Sequence, residues 1–303
     1  MPSIGAGIFN AFVRLVIKRR DWGPDEYALV RRARRLFGAP RLLQWLSVRG
    51  LDVRSVNDSS AKGEWLSVRA PDPAAIVFYI HGGGYVSCSP ATHRPIAAGL
   101  ARLTQFRVFS MDYRLAPEHR FPAAVDDVFA AYKYLKEQHP DVPIAIAGDS
   151  AGGGLTLGLL LTSRDAGLEM PACAVCFSAW TDLTASGASV IANEASDRMF
   201  YASTIKAFAD AYASPEQKRD SRASPVFGDY AAVPPVLFQV GSTEVLVDDS
   251  RRIHEKIHAA DGVSELQIFD EIFHSWQMGV GLLPESDTAM KNAAGFIRRH
   301  IAK

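Results

Sequence analysis

Short, largely apolar runs at 74–80, 107–111, 143–147, 172–177, 235–241 and 266–269 punctuate the chain. Runs of this length without polar alternation are the pattern of strands buried on both faces, as in a parallel sheet. Between them lie stretches with apolar residues at helical spacing. At 4–17, Ile8, Phe12, Leu15 and Val16 share one face; Asp126 and Asp127 open a second helix that carries 130–135; others are read at 155–161 and 249–260. Strands alternating with helices predict an α/β fold, a mostly parallel sheet with helices on both faces. No internal repeat or low-complexity tract interrupts the pattern, and 303 residues suit one large domain.

The chemistry concentrates where strands end. After the run at 143–147 comes Gly148-Asp149-Ser150-Ala151-Gly152, then the helical stretch 155–161. This is a strand, a sharp turn and a helix, with Ser150 at the point of the turn. Such a turn strains the serine backbone and brings it close to neighbouring chain, so its flanking residues must be small. It has the form of a nucleophile elbow, the Gly-x-Ser-x-Gly turn of α/β hydrolases. About seventy residues upstream, His81-Gly82-Gly83-Gly84-Tyr85 follows the strand 74–80. Three glycines leave backbone N–H groups open to an anion, which the tetrahedral intermediate of acyl transfer requires.

A serine nucleophile needs a base, and in this fold the order along the chain is nucleophile, acid, histidine. Of the eight histidines, only His254, His258, His274 and His300 come late enough. His300 lies in the basic tail and the first two sit in a helical pattern, which leaves His274, in a loop just after a strand. The acid follows the run 235–241: Glu244 lies just past the strand end, and Asp248 is its competitor, with Asp249 beside it at the start of the next helix.

Together these segments resemble a bacterial hormone-sensitive-lipase-type esterase of the α/β-hydrolase superfamily. The matching pieces are HGGGY at 81–85, MDYRLAPEHRFPAAVDD at 111–127, GDSAGG at 148–153, SAWTDL at 178–183, STEVLVDD at 242–249 and HSW at 274–276. The resemblance implies a triad of Ser150, Glu244 and His274, with oxyanion N–H groups from Gly83, Gly84 and Ala151. Tyr85, Trp180 and Phe200 are expected to bind substrate. Residues 1–50 would form part of a helical cap, residues 51–303 the catalytic domain, with a second cap segment at about 183–223. The chain departs from the family pattern where Glu244-Val245-Leu246 replaces Asp-Pro-Leu and where Ser178-Ala179-Trp180 replaces Ser-Pro-Trp. The expected activity is hydrolysis of short-to-medium-chain acyl esters through an acyl-enzyme. Lactone or amide hydrolysis by the same triad is the alternative. A non-catalytic small-ligand receptor is a further one, although receptors of this family lose the triad histidine, which stands here at 274. The resemblance also implies a homodimer through a sheet edge.

Composition adds exclusions. A formal net charge of zero, without a basic stripe interleaved with aromatics, argues against nucleic acid as a partner. Three cysteines cannot pair completely, which fits a reducing, cytoplasmic setting. Cys173 and Cys176 form C-x-x-C inside a strand, where residues three apart face opposite sides. Cys88, near the glycine loop, is read as a packed thiol, with a place at the pocket rim as the alternative. No cofactor or metal is expected. His254-Glu255-Lys256-Ile257-His258 is a literal His-Glu-x-x-His, yet no third ligand follows, and it falls on a surface helix. The apolar stretch 4–17 contains Arg14 and carries Lys18-Arg19-Arg20 after it, the reverse of a secretory signal, and is too short to span a bilayer. A membrane-surface helix is its rival reading. The charges of Asp112–Arg120 are expected to pair with one another and brace the loops around the elbow, and Asp149 is expected to be a scaffold residue.

Overall fold

The computed structural model of the protein describes residues 2–18 and 25–301. Arg19 and Arg20 of the basic cluster lie outside the described residues. The elements run α1 (Ile4–Val16), α2 (Glu26–Leu36), α3 (Arg41–Ser47), β1 (Asp52–Asn57), β2 (Lys62–Ser67), β3 (Asp72–Ile80), α4 (Arg94–Thr104), β4 (Phe106–Met111), α5 (Ala123–Gln138), β5 (Ile144–Asp149), α6 (Ala151–Asp165), β6 (Cys173–Phe177), α7 (Ser189–Ala192), α8 (Ala202–Tyr212), β7 (Val236–Gly241), α9 (Val247–Ala259), β8 (Ser264–Phe269) and α10 (Pro284–Ile301).

Eight strands form one sheet in the order β1-β2-β4-β3-β5-β6-β7-β8. Only β1/β2 and β2/β4 are antiparallel; the remaining pairs are parallel. Every apolar run read as a strand is one. Strand β3 is the clearest case, because alternate residues serve opposite layers. Ile76, Phe78 and Ile80 pack with Val128 of α5, Leu155 of α6 and Ile253 of α9. Val77 and Tyr79 pack with Ile96 of α4 and Phe296 of α10. A strand covered on both faces has no polar face to show, which is why these runs are continuous. This is the α/β-hydrolase fold.

Helix α1 departs from the usual logic of an amphipathic helix. Its packed side is Ala6, Asn10 and Val13, whereas Ile8, Phe12 and Leu15 are exposed. Asp25 starts α2, its carboxylate accepting the N–H groups of Tyr27 and Ala28. Phe37, just after α2, packs against Phe200 and against Phe208 of α8 at ring distances of 6.0 and 5.8 Å. The segments 1–50 and 183–223 therefore meet above one end of the sheet. No helix among the described residues is long and apolar enough to cross a membrane.

Candidate active site

Strand β5 ends at Asp149, and α6 begins at Ala151, so Ser150 is the whole of the turn. Its φ of 53° and ψ of −121° lie where a side chain is strained, at a typical cost of about 1–3 kcal/mol. The turn is held by Ser150 N–H donating to Phe177 O at 2.8 Å and by Gly154 N–H donating to Ser150 O at 3.1 Å. Gly152 is required by close approach: a Cβ there would sit 2.1 Å from Ile80 O and 2.5 Å from His81 O. Both atoms are backbone in a packed strand end, so nothing can rotate away. Gly152→Ala is expected to cost about 3 kcal/mol or more, the upper end of overpacking. Urea unfolding with an unchanged midpoint would contradict this packing of the elbow.

The glycine loop leaves β3 beside the elbow. Gly82 N–H donates to Asp149 Oδ1 at 2.9 Å, which fixes the loop to the residue before Ser150. Gly83, at φ 112°, has a conformation that only glycine adopts freely. Gly83 and Gly84 line the same cavity as Ser150 and His274. Ala151 is buried as the first residue of α6, where first-turn N–H groups have no partner within the helix. Tyr85 is a correction. Its own φ of 63° turns it into the core, where it stacks on Tyr212 at 3.9 Å and reaches Trp180 at 5.5 Å. It is not part of the cavity wall, which Trp180 and Phe200 do line.

Past β7, Glu244 lies in the turn before α9. Its Oε1 accepts Gly241 N–H at 2.6 Å and Ser178 O–H at 2.7 Å, and its Oε2 lies 2.6 Å from His274 Nδ1. Both residues are buried. His274 Nε2 is buried too and has no hydrogen-bond partner. Ser150 Oγ and Nε2 do not yet meet in a hydrogen bond; in unliganded sites such bonds often tighten only around the reacting group. Burial alone would lower the His274 pKa, but the Glu244 carboxylate and its hydrogen bond outweigh that and hold it above the ordinary 6.5. Asp248, the competing acid, points elsewhere: it accepts Ser189 N–H at 2.8 Å and faces Arg251.

Ser178 and Asp197, to which the sequence assigns no role, hold this arrangement together with Asp149 and Asp249. Ser178, at φ 45°, bonds Glu244 and also accepts Ser275 N–H at 3.3 Å, so it spans the acid and histidine loops. Asp149, expected to be a scaffold residue, does more than accept Gly82 N–H. It also accepts from Tyr79 O–H at 2.5 Å and Ser275 O–H at 3.3 Å, and faces His93 Nε2 at 3.4 Å. Burial would raise its pKa, but His93, the Tyr79 hydroxyl and His81 pull the carboxyl down to about 2. Asp197 accepts the N–H groups of Met199, Phe200 and Val245, tying the 183–223 segment to the acid loop. Asp249 accepts the N–H groups of Thr181 and Asp182.

The charges of Asp112–Arg120 do brace this region, but not by pairing with one another. Asp112 faces Lys62, Arg114 faces Asp127, Glu118 faces Arg34 of α2 and Arg120 faces Glu26 of α2. Tyr113 donates to His81 O at 2.8 Å and stacks on that histidine at 4.3 Å. Cys88 belongs to the cavity wall, and burial pushes its thiol up to about 12. Cys173 and Cys176 are buried free thiols on β6. On α9, His254 Nδ1 lies 2.7 Å from Ser264 Oγ, with the His258 ring 4.5 Å away. Among the described residues no three or more His, Cys, Asp or Glu side chains are grouped to hold a metal ion.

The likeness to known proteins runs through the whole chain. The sequence model of a family described as alpha/beta hydrolase fold matches residues 77–278. An acetyl-hydrolase of Streptomyces hygroscopicus is 38% identical over 248 residues, 82% of this chain and 82% of its own. An esterase of Acinetobacter venetianus is 34% identical over 248 residues, 81% of this chain and 82% of its own. The crystal structure of EstE5 soaked with ethyl alcohol superposes with a TM-score of 0.90 at 32% identity, covering 99% of this chain and 100% of that one. An esterase described as a member of the bacterial hormone-sensitive lipase family gives 0.87 at 30% identity, with 99% of both chains covered. With that breadth of match, and with the elbow, the glycine loop and His274 of the Glu–His pair lining one cavity, the chain belongs to the α/β hydrolases, among their hormone-sensitive-lipase-type esterases.

Proposed function

We propose that this carboxylic ester hydrolase works through an acyl-enzyme on Ser150, with His274 as base and Glu244 as the partner of that histidine. The observation that carries the reading is the buried pair, Glu244 Oε2 at 2.6 Å from His274 Nδ1, with unpaired Nε2 in the cavity that Ser150 lines. Ser150 Oγ attacks the ester carbonyl carbon while its proton passes to Nε2. The carbonyl oxygen becomes an oxyanion, received by the N–H groups of Gly83, Gly84 and Ala151. Collapse expels the alcohol, which takes the proton back from Nε2. Water then repeats the sequence on the acyl-enzyme and releases the acid.

The apolar cavity wall, with Trp180 and Phe200, supports a short-to-medium acyl chain as substrate. Relatives named acetyl-hydrolase and esterase support the same class. In this reading residues 1–50 and about 183–223 are two parts of a cap over the catalytic domain 51–303. A homodimer through a sheet edge belongs to the reading as well, and the odd cysteine count supports a cytoplasmic setting. The test is kcat/KM for p-nitrophenyl esters from acetyl to palmitoyl. A maximum at short or medium chains is the expected result; a maximum at palmitoyl, or no turnover by folded protein, would overturn it.

The pH profile gives a separate check. His274 acts as base only when neutral, and its pKa is held above 6.5. The acid limb of kcat/KM is therefore expected to have its midpoint above pH 6.5, with activity lost as the pH falls through it. A midpoint below pH 6.5 would contradict the pairing with Glu244.

A further inference from the structure

Helix α1 shows solvent the side that a helix serving only to close a cavity would bury. Ile4, Ile8, Phe12 and Leu15 recur at three- and four-residue spacing and so form one stripe. They are 86%, 65%, 57% and 76% exposed. The packed side already has its own apolar partners, Ala6 and Val13 clustering with Phe273, Trp276 and Leu283, and polar bonds fasten it further: Ser3 N–H to Glu285 Oε1 at 2.6 Å and Asn10 Nδ2 to Glu271 O at 2.7 Å. On α3, Leu42 and Trp45 are likewise exposed. Both helices also reach the active-site cavity, through Phe12 and Leu43. Phe12 and Leu282 line that cavity and are exposed, so they stand at its mouth. The apolar stripes therefore flank the opening that leads to Ser150.

Scattered apolar side chains on a surface need no explanation, but a contiguous set marks a contact face. Charge identifies the partner. Residues 1–50 hold ten Lys and Arg against three Asp and Glu, a net +7 in a chain whose total is zero. Arg14 on α1, Arg31 and Arg35 on α2 and Arg41 on α3 are exposed. An apolar helical face edged by cations is the composition of a helix lying in a lipid interface, its apolar side at the headgroup–acyl boundary and its cations on anionic headgroups. A second copy of the chain would bring the same positive segment against its like, which electrostatics opposes.

We propose that the face formed by α1 and α3 docks peripherally on an anionic lipid surface, with the cavity mouth turned to the lipid. Docking stands on its own; delivery of substrate from the lipid to Ser150 rests on the ester reading above. The experiment is cosedimentation of the full chain with phosphatidylcholine vesicles, with and without a minority of phosphatidylglycerol. The protein is expected to pellet only with the anionic vesicles and to be released by high salt. The double variant Ile8→Glu/Leu15→Glu, neither residue lining the cavity, is expected to partition at least about tenfold less. Its kcat/KM on soluble p-nitrophenyl acetate should equal that of the wild type. Wild-type protein that stays in the supernatant, or a double variant that pellets equally, overturns the proposal. So does a lipid-free dimer that the double variant splits, which would assign the face to a second copy. Inactivity on the soluble ester with docking intact would strike the ester reading alone.

Discussion

Ser150→Ala is expected to lower kcat on p-nitrophenyl esters by about a millionfold, the size of loss seen when the serine of a working triad is removed. Alanine keeps the Cβ, so the φ of 53° and the start of α6 are under the same steric constraints as before. Only the attacking atom is lost. Thermal unfolding should be nearly unchanged, which separates lost chemistry from lost structure. The glycine loop remains, so a small residual rate over water is expected from the oxyanion donors and from binding. Turnover within about tenfold of wild type would remove Ser150 from the role of nucleophile.

The second large effect separates the two candidate acids. Glu244→Gln is expected to cost about ten-thousandfold in kcat, and Asp248→Asn almost nothing. The reason lies in which oxygen does what. Oε1 is claimed by two donors, Gly241 N–H and Ser178 O–H, so a glutamine there keeps its carbonyl oxygen on that side. Its NH2 group then faces His274 Nδ1 and donates to it. That hydrogen bond selects the tautomer with the proton on Nε2, which cannot accept the proton of Ser150. Asp248, by contrast, accepts Ser189 N–H at the rim of the acid loop, and its amide analogue can still do so. A greater loss for Asp248→Asn would reverse the assignment.

How much of this the sequence held depends on the range of the interaction. The strands were legible because two-sided burial leaves an unbroken apolar run, and the elbow because close approach demands glycines within two residues of Ser150. Glu244 and Asp248 could not be separated from residue types alone, since both follow β7 within one short turn. Only the fold shows which carboxylate meets the histidine, thirty residues later. Ser178 acts through partners 66 and 97 positions away, so no local pattern reports it. Tyr85 is expected to bind substrate, but its left-handed backbone sends the ring into the core, which the residue type does not reveal. Helix α1 illustrates a different limit. Periodicity finds an apolar face, but it carries no information about what that face meets.

Covalent modification of Ser150 with help from His274 can be read directly as mass. The protein is treated with an alkyl fluorophosphonate, which captures an activated serine, and the adduct is located by intact-mass and peptide mass spectrometry. One adduct per chain is expected, on Ser150, absent in Ser150→Ala and formed far more slowly in His274→Ala. A folded protein that takes up no adduct, or takes it up at another residue, would contradict it.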